Sequence, residues 1–275
     1  MKKFEGYLIV SDLDGTFLGK KSRIVEENVR AIEYFKENGG LFTFATGRAF
    51  YNARVPIPNM EDYVNTVVIT ANGTAFYDAK TGALSRLSYL DREKAIEAVR
   101  YAYEKYPDLH LRMTGTDGFY LYEETTIEKT LFSKIPPRHV HLMPYEEWPH
   151  DCWLKLVYIG EPDRIQEFKN DITYRFPDFE FALSSPRLYE FQVKGVNKGT
   201  AIKTLKADLE AEYGYPITVY AAGDYGNDTQ MLECADVAVC PSNALPEIKA
   251  ICDHVFCDHD EGLIADIVRH IENNL

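Results

Sequence analysis

The apolar run Tyr7-Leu8-Ile9-Val10 breaks off in Ser11-Asp12-Leu13-Asp14-Gly15-Thr16, and no other stretch constrains this chain so sharply. It reads as a buried strand whose end delivers two carboxylates, two residues apart, into a turn. Side chains alternate along a strand, so Asp12 and Asp14 share a face only while the strand continues; the Gly15 turn splays them apart. Two acids at this spacing suit a divided task, one attacking or holding a metal and the other moving a proton. Taken alone, the same residues also make an ordinary Asp-Gly-Thr turn.

What surrounds that turn alternates strand and helix. Strand-like runs at Leu41–Ala45 and Val67–Thr70 follow, with an amphipathic helix predicted over Glu26–Glu37, where Val29, Ile32 and Phe35 recur at helical spacing before Gly39-Gly40. The last third repeats the habit: helices at Lys198–Tyr213, Thr229–Cys234, Leu245–Ile251 and Glu261–Ile271, strands at Ile217–Ala222, Val237–Cys240 and Val255–Cys257. Such alternation predicts an α/β fold with a parallel sheet covered on both faces. The middle departs from it. A helix at Arg92–Tyr106 precedes strands Leu109–Met113 and Phe119–Tyr122; after a strand at Trp153–Ile159, a helix at Asp163–Phe176 precedes strands Phe179–Leu183 and Tyr189–Val193. The expectation is an α+β insert over residues 84–190 between the two halves of one core, 1–83 and 191–275. Thr81-Gly82-Ala83 and Lys194-Gly195-Val196 serve as its hinges.

Composition narrows the partners. The net charge of -13 over 275 residues opposes nucleic acid as a partner, because phosphate repulsion would have to be overcome locally. No apolar run nears the ~18 residues of a membrane span. The basic start, Met1–Gly6, leads into a stretch too short and too acidic for a signal peptide, so a cytoplasmic protein without a membrane partner is expected. Five cysteines without an export signal oppose a disulfide framework. Cys252, His254, Cys257 and His259 imitate a metal site, but their spacing is too tight for the usual zinc patterns; a short strand with a packed Cys is the plainer reading.

Four polar clusters fall where strands end or helices begin, and in open parallel sheets ligands bind beyond the carboxyl ends of the strands. Besides Asp12/Asp14, these are Ala45-Thr46-Gly47-Arg48, Asn197-Lys198-Gly199 and Gly223-Asp224-Tyr225-Gly226-Asn227-Asp228. A hydroxyl with a Gly amide can bind phosphate oxygens. An ammonium can neutralise charge on a transferring group. Two acids and an amide in a Gly-containing loop suit a hard cation such as Mg2+. Singly, each also reads as a plain turn, a solvated lysine or an acidic loop.

In this order the motifs D-x-D-G-T, A-T-G-R, N-G (Asn72-Gly73), G-V-N-K-G (Gly195–Gly199) and G-D-x-x-N-D, with Ser242-Asn243-Ala244 and Glu261-Gly262 near the end, resemble the haloacid dehalogenase superfamily, in its Cof-type branch with an α/β cap. The resemblance implies a Rossmann-like core and a phosphatase of small phosphorylated metabolites. It implies Asp12 as nucleophile and Asp14 as general acid and base. Mg2+ would be held by Asp12, Asp224 and the backbone of Asp14, with Asp228 supporting it directly or through water. Thr46, Lys198 and Asn227 would anchor phosphate, and Gly47, Arg48 and Asn72 would border the substrate. Tyr225 stands where Gly or Ser is usual, either narrowing the site or facing solvent, and Pro241 stiffens the loop before Ser242. A phosphomutase on the same core, or a ligand sensor without catalysis, would use the same motifs, though a sensor would be expected to lose one of the chemical residues. In the insert, His110, Arg112 and Lys155 are candidates for the leaving group, with Arg112 read first as a surface residue of a cap sheet.

Overall fold

The structure, a computed structural model, describes residues 2–122 and 133–275. The strands used below are β1 (Tyr7–Ser11), β2 (Leu18–Gly19), β3 (Arg23–Ile24), β4 (Leu41–Phe44), β5 (Val68–Thr70), β6 (Ala75–Tyr77) and β7 (Leu84–Ser85). The insert adds β8 (His110–Gly115), β9 (Phe119–Leu121), β10 (Val140–Leu142), β11 (Trp153–Ile159), β12 (Phe179–Ser185) and β13 (Leu188–Val193). The chain then returns through β14 (Thr218–Ala222), β15 (Val237–Pro241) and β16 (His254–Phe256).

Five of these form a wholly parallel sheet in the order β16-β15-β14-β1-β4. β1 lies inside it, which is why its sequence is apolar on both faces. Leu8 and Val10 pack with Ile202 and Leu205 of helix Lys198–Tyr213, whereas Ile9 packs with Ile32 and Phe35 of helix Glu26–Glu37 and Ile267 and Ile271 of helix Leu263–Asn273. One strand thus serves two cores, as its two-residue period requires. The helices Glu26–Glu37, Lys198–Tyr213 and Thr229–Cys234 span the expected residues. Helix Pro246–Lys249 is shorter than expected, because Leu245 stays extended ahead of Pro246 and the turn ends at Ala250.

One strand differs in kind. β5 was expected in the parallel sheet. It meets the end of β4 through a single parallel bridge, Ala45 to Ile69, and its ladder is antiparallel to β6, which continues to β7. The turn Ala71–Gly73 sends the chain straight back, with Ala71, Asn72 and Gly73 all at positive φ.

The inserted sheet has the order β10-β9-β8-β11-β13-β12 among the described residues, antiparallel apart from the β9–β10 pair. Helices Arg92–Lys105 and Pro162–Arg175 bury Val99, Ile165 and Phe168 against Met113, Tyr158 and Phe191 on one face. The other face turns toward the core. Ala49 and Tyr51 pack with Phe119, Leu121 and Ile135, and Leu154 packs with Ala71 and Ala75. The result is a Rossmann-like α/β core with an inserted α+β cap seated on it.

Candidate active site

β1 and β14 are neighbours with Ser11 opposite Ala222, so the residues that follow each emerge side by side at the carboxyl edge. Asp12 is buried and its N–H donates to the Ala222 carbonyl at 2.8 Å. Asp14 lies past the strand with half of its side chain exposed. The splaying is the work of Gly15, at φ +85. A Cβ there would stand 2.4 Å from Asp224 Oδ2, so only glycine lets the two loops close on each other. Thr16 Oγ1 donates to Asp224 Oδ1 at 2.8 Å, and Asn243 Nδ2 donates to the Gly15 carbonyl at 2.9 Å.

Lys198 arrives from the third segment. Asn197 caps its helix in a reciprocal capping box with Thr200. A Cβ at Gly199 would come 2.2 Å from the Gln230 carbonyl, so the glycine allows that helix to press against Thr229–Cys234. Thus placed, Lys198 is fully buried, and its Nζ donates to Asp12 Oδ1 at 2.5 Å and Asp228 Oδ1 at 2.6 Å. It is not the solvated lysine that its position alone permits. Asp228 Oδ2 in turn accepts from the Asp224 and Tyr225 amides at 3.0 and 3.2 Å. Carboxylate oxygens of Asp12, Asp224 and Asp228 all lie within 4.8 Å of one another.

Three largely buried acids about one lysine leave an excess of negative charge. Burial, reinforced by the charges of Asp228, Asp224 and Asp14, pushes Asp12 well above the ordinary carboxylate range against the pull of Lys198. Burial and Asp228 push Asp224 up to about 7, with Thr16 and Lys198 opposing. For Lys198 burial favours the neutral amine, but Asp12 and Asp228 outweigh it and hold the ammonium above its usual range. An all-oxygen donor set carrying surplus negative charge fits a hard divalent cation.

Above the acids is a cavity of about 400 Å³. The core lines it with Asp12, Asp14, Gly47, Arg48, Asp224, Tyr225 and Asn227; the cap lines it with Arg112, Phe119, Lys155, Ser184 and Glu190. Tyr225 therefore faces the cavity. Arg48 reaches back to Asp14 with Nε and Nη2, both at 2.7 Å. Thr46 and Asn72 stand behind the cavity: Thr46 Oγ1 accepts from the Arg48 amide at 3.1 Å, and Asn72 Nδ2 donates to Glu190 Oε2 at 2.6 Å. Arg112 corrects its first reading as a surface residue. It is buried, with its guanidinium 4.6 Å from the Phe119 ring centre, because β8 turns that residue toward the core. His110, at the outer end of β8, does not line the cavity. Glu190 carries part of the site and was missed; its signal was the polar pair Glu190 and Gln192 at two-residue spacing in an otherwise apolar strand.

Cys252, His254, Cys257 and His259 do not gather as ligands among the described residues. His254 lies in β16, and Cys257 packs beside the core. Asp258, His259 and Asp260 do come together, but Asp260 is taken by Lys20 and Arg23. No helix among the described residues is long and apolar enough to cross a membrane.

A Rossmann-like core with an acid cluster at its strand ends, closed by an inserted cap, defines a capped hydrolase. The chain belongs to the haloacid dehalogenase-like hydrolase family, whose model matches residues 9–268. It is 27% identical over 293 residues to the phosphatase YwpJ of Bacillus subtilis, covering 96% of this chain and 99% of that protein. It is 25% identical over 265 residues to the 5-amino-6-(5-phospho-D-ribitylamino)uracil phosphatase YcsE of Bacillus subtilis, covering 96% and 94%. A solved haloacid dehalogenase-like hydrolase from B. subtilis superposes with a TM-score of 0.82 at 21% identity, covering 96% of this chain and 99% of that one, which places the fold.

Proposed function

We propose that this chain is a Mg2+-dependent phosphatase of small phosphorylated metabolites, working through an aspartyl-phosphate on Asp12. The observation that carries the reading is the buried lysine bridge: Lys198 joins Asp12, which lines the cavity beneath the cap, to Asp228 buried behind it. A carboxylate so held points at one place and cannot turn away to solvent. The relatives' names support the same chemistry, and one of them acts on a ribityl phosphate.

In this reading Asp12 attacks phosphorus and the ester P–O bond breaks. Asp14 gives its proton to the departing alkoxide, which leaves as an alcohol. Asp14 then takes a proton from water as the water oxygen attacks phosphorus, releasing inorganic phosphate and restoring Asp12. Arg48 occupies both oxygens of Asp14, so that ion pair must open before Asp14 can pass a proton. Lys198 and Asn227 hold the phosphoryl oxygens, while Thr46 and Asn72 set the Gly47 loop from behind. Asp12, Asp224, the backbone carbonyl of Asp14 and Asp228 would hold Mg2+, which when bound neutralises charge on the phosphoryl oxygens. The inserted cap acts as the specificity element of the core; expected over 84–190, it begins after β7 (Leu84–Ser85), which pairs with β6 of the core, and runs to the end of β13 at Val193, with the return hinge at Lys194–Val196.

The test is release of inorganic phosphate from p-nitrophenyl phosphate and from a panel of sugar and cofactor-related phosphates, with Mg2+ and with EDTA. Turnover that requires Mg2+ is expected. No release from any ester in Mg2+ overturns the reading.

A further inference from the structure

The short helical turn Phe50–Ala53 follows closely on Arg48 and is built into both halves of the molecule. Phe50 stacks on Tyr77 of the core, the rings 5.2 Å apart and 24° from parallel. Tyr51, next along, enters the cap instead. It is buried, its ring lies 4.9 Å from His139 at 13° and 5.0 Å from Phe119 edge-on, and its hydroxyl donates to the Gly115 carbonyl at 3.3 Å. These three partners sit at one corner of the cap sheet, at the β8–β9 turn and the entry to β10. Ala49 and Tyr51 form with them a small apolar cluster apart from the main cores of either half.

The same turn holds Arg48. The backbone of Arg48 is fixed by the core, through the Thr46 hydroxyl at 3.1 Å and the Ala71 amide at 2.8 Å. What remains to be set is the direction of its guanidinium. Among the described residues that group donates to Asp14 and, through Nη1, to Asn52 Oδ1 at 3.2 Å. Asn52 follows Tyr51 directly, so the side chain that steadies Arg48 stands on a residue whose neighbour is seated in the cap. A line of contacts thus runs from His139 and Phe119 through Tyr51 and Asn52 to Arg48 and Asp14. A misplacement of about 1 Å far from the reacting atoms can cost on the order of 10²-fold in rate, so such a line matters to a proton donor.

We propose that Tyr51 is a positioning residue for the general acid: seated in the cap, it fixes Asn52 and through it the Arg48 guanidinium, so that Asp14 is aimed only while the cap is docked. This rests on the phosphatase reading above.

The test uses two esters that differ in their need for a proton. Phenolate leaves poorly without one, whereas p-nitrophenolate leaves unaided. kcat/KM covers the step in which the leaving group departs, so the ratio of phenyl phosphate to p-nitrophenyl phosphate reads the acid. In Tyr51→Leu that ratio is expected to fall by about tenfold, a part of what a positioned acid supplies. Tyr51→Phe, which keeps the stacked ring, is expected to stay near the wild-type ratio. In an Arg48→Ala background Tyr51→Leu is expected to add no further fall, because both changes act through one group. If Tyr51→Leu does not fold, His139→Leu, which removes the stacked ring from the cap side, carries the same expectations. A ratio unchanged in the variant, even with both rates lowered, shows that Tyr51 only packs and overturns the proposal. So does an equal fall with and without Arg48. A wild type that releases phosphate from neither ester nor from any metabolite of the panel overturns the phosphatase reading, and the proposal falls with it.

Discussion

Arg48 holds both oxygens of Asp14, at 2.7 Å each, while Asp12, two residues earlier, is held by a different cation, Lys198. The two acids of one short turn therefore live in different surroundings. Asp12 is buried and fixed against a lysine that cannot leave. Asp14 is half exposed, on an arginine that can. That division suits one group to stay a nucleophile and the other to release and take up a proton.

Asp14→Asn is expected to lower steady-state turnover of p-nitrophenyl phosphate by about 10²- to 10⁴-fold, the usual worth of a positioned acid or base. p-Nitrophenolate departs without help from an acid, so the first step survives and the second, which needs Asp14 as base, stalls. Rapid mixing is expected to show a burst of p-nitrophenol approaching one equivalent of enzyme, then a slow phase. Reduced turnover with no burst would take the second-step role from Asp14.

Much of this arrangement is legible in the sequence, and the illegible parts share a cause. Helices Glu26–Glu37 and Lys198–Tyr213 and strand Trp153–Ile159 are long enough for their periods to show, and their limits agree with the structure. β2 and β3 have two residues each, too few for any period, so the small antiparallel flap after Asp14 left no trace. β5 is a three-residue run that suits either sheet; its antiparallel partner is decided by the positive-φ turn at Ala71–Gly73, whose Asn72-Gly73 pair is a hairpin signal read above only as a site motif. The acid cluster was readable because strand ends gather by topology. The polar underside of the cap was not, because Lys155 and Glu190 meet only through the β11–β13 register and the docking of the cap on Gly47.

Asp12→Asn removes the nucleophile and one of three crowded acids. Turnover is expected to fall below about a hundredth of wild type, since no neighbouring group replaces a covalent catalyst. Stability is expected to move the other way. Burial disfavours the Asp12 charge, and Lys198 keeps Asp228 as its counter-ion after the change. In EDTA at pH 8 the variant should melt a few degrees above wild type, the trade of stability for function common at active sites. A lower melting temperature would show that Asp12 is a net stabiliser of the metal-free fold.

Gly15→Ala tests the close approach of the two loops. The added methyl would overlap the Asp224 carboxyl, and φ +85 strains any residue with a Cβ. Asp224 must shift, so Mg2+ activation is expected to need at least about tenfold more Mg2+, a displacement worth ~1.4 kcal/mol in cation binding. Gly15 is half-buried, but the methyl meets a single side-chain carboxyl that can shift, so the chain should still fold cooperatively. An unaltered Mg2+ activation curve would mean that Asp224 does not hold the cation in its present position.

The acid cluster also sets how the metal-free protein responds to pH. An Asp in the unfolded chain loses its proton near ~3.9. Asp224 in the folded chain keeps it up to about 7, and Asp12 is displaced in the same direction. Between those limits the folded state holds more protons than the unfolded state. The stability these groups contribute is thus complete below about pH 4 and is lost as pH rises through about 7. A divalent cation bound by the ionised acids takes over from the protons, and it stabilises in proportion to its occupancy of the folded state alone. Thermal melting in Mg2+ and in EDTA is therefore expected to differ by several degrees at pH 8 and by much less at pH 5.5, where protons already occupy the cluster. In Asp224→Ala the gain at pH 8 should shrink toward its value at pH 5.5. Equal gains at the two pH values would mean that the cation and the protons do not compete for Asp12, Asp224 and Asp228, and would move the metal site elsewhere.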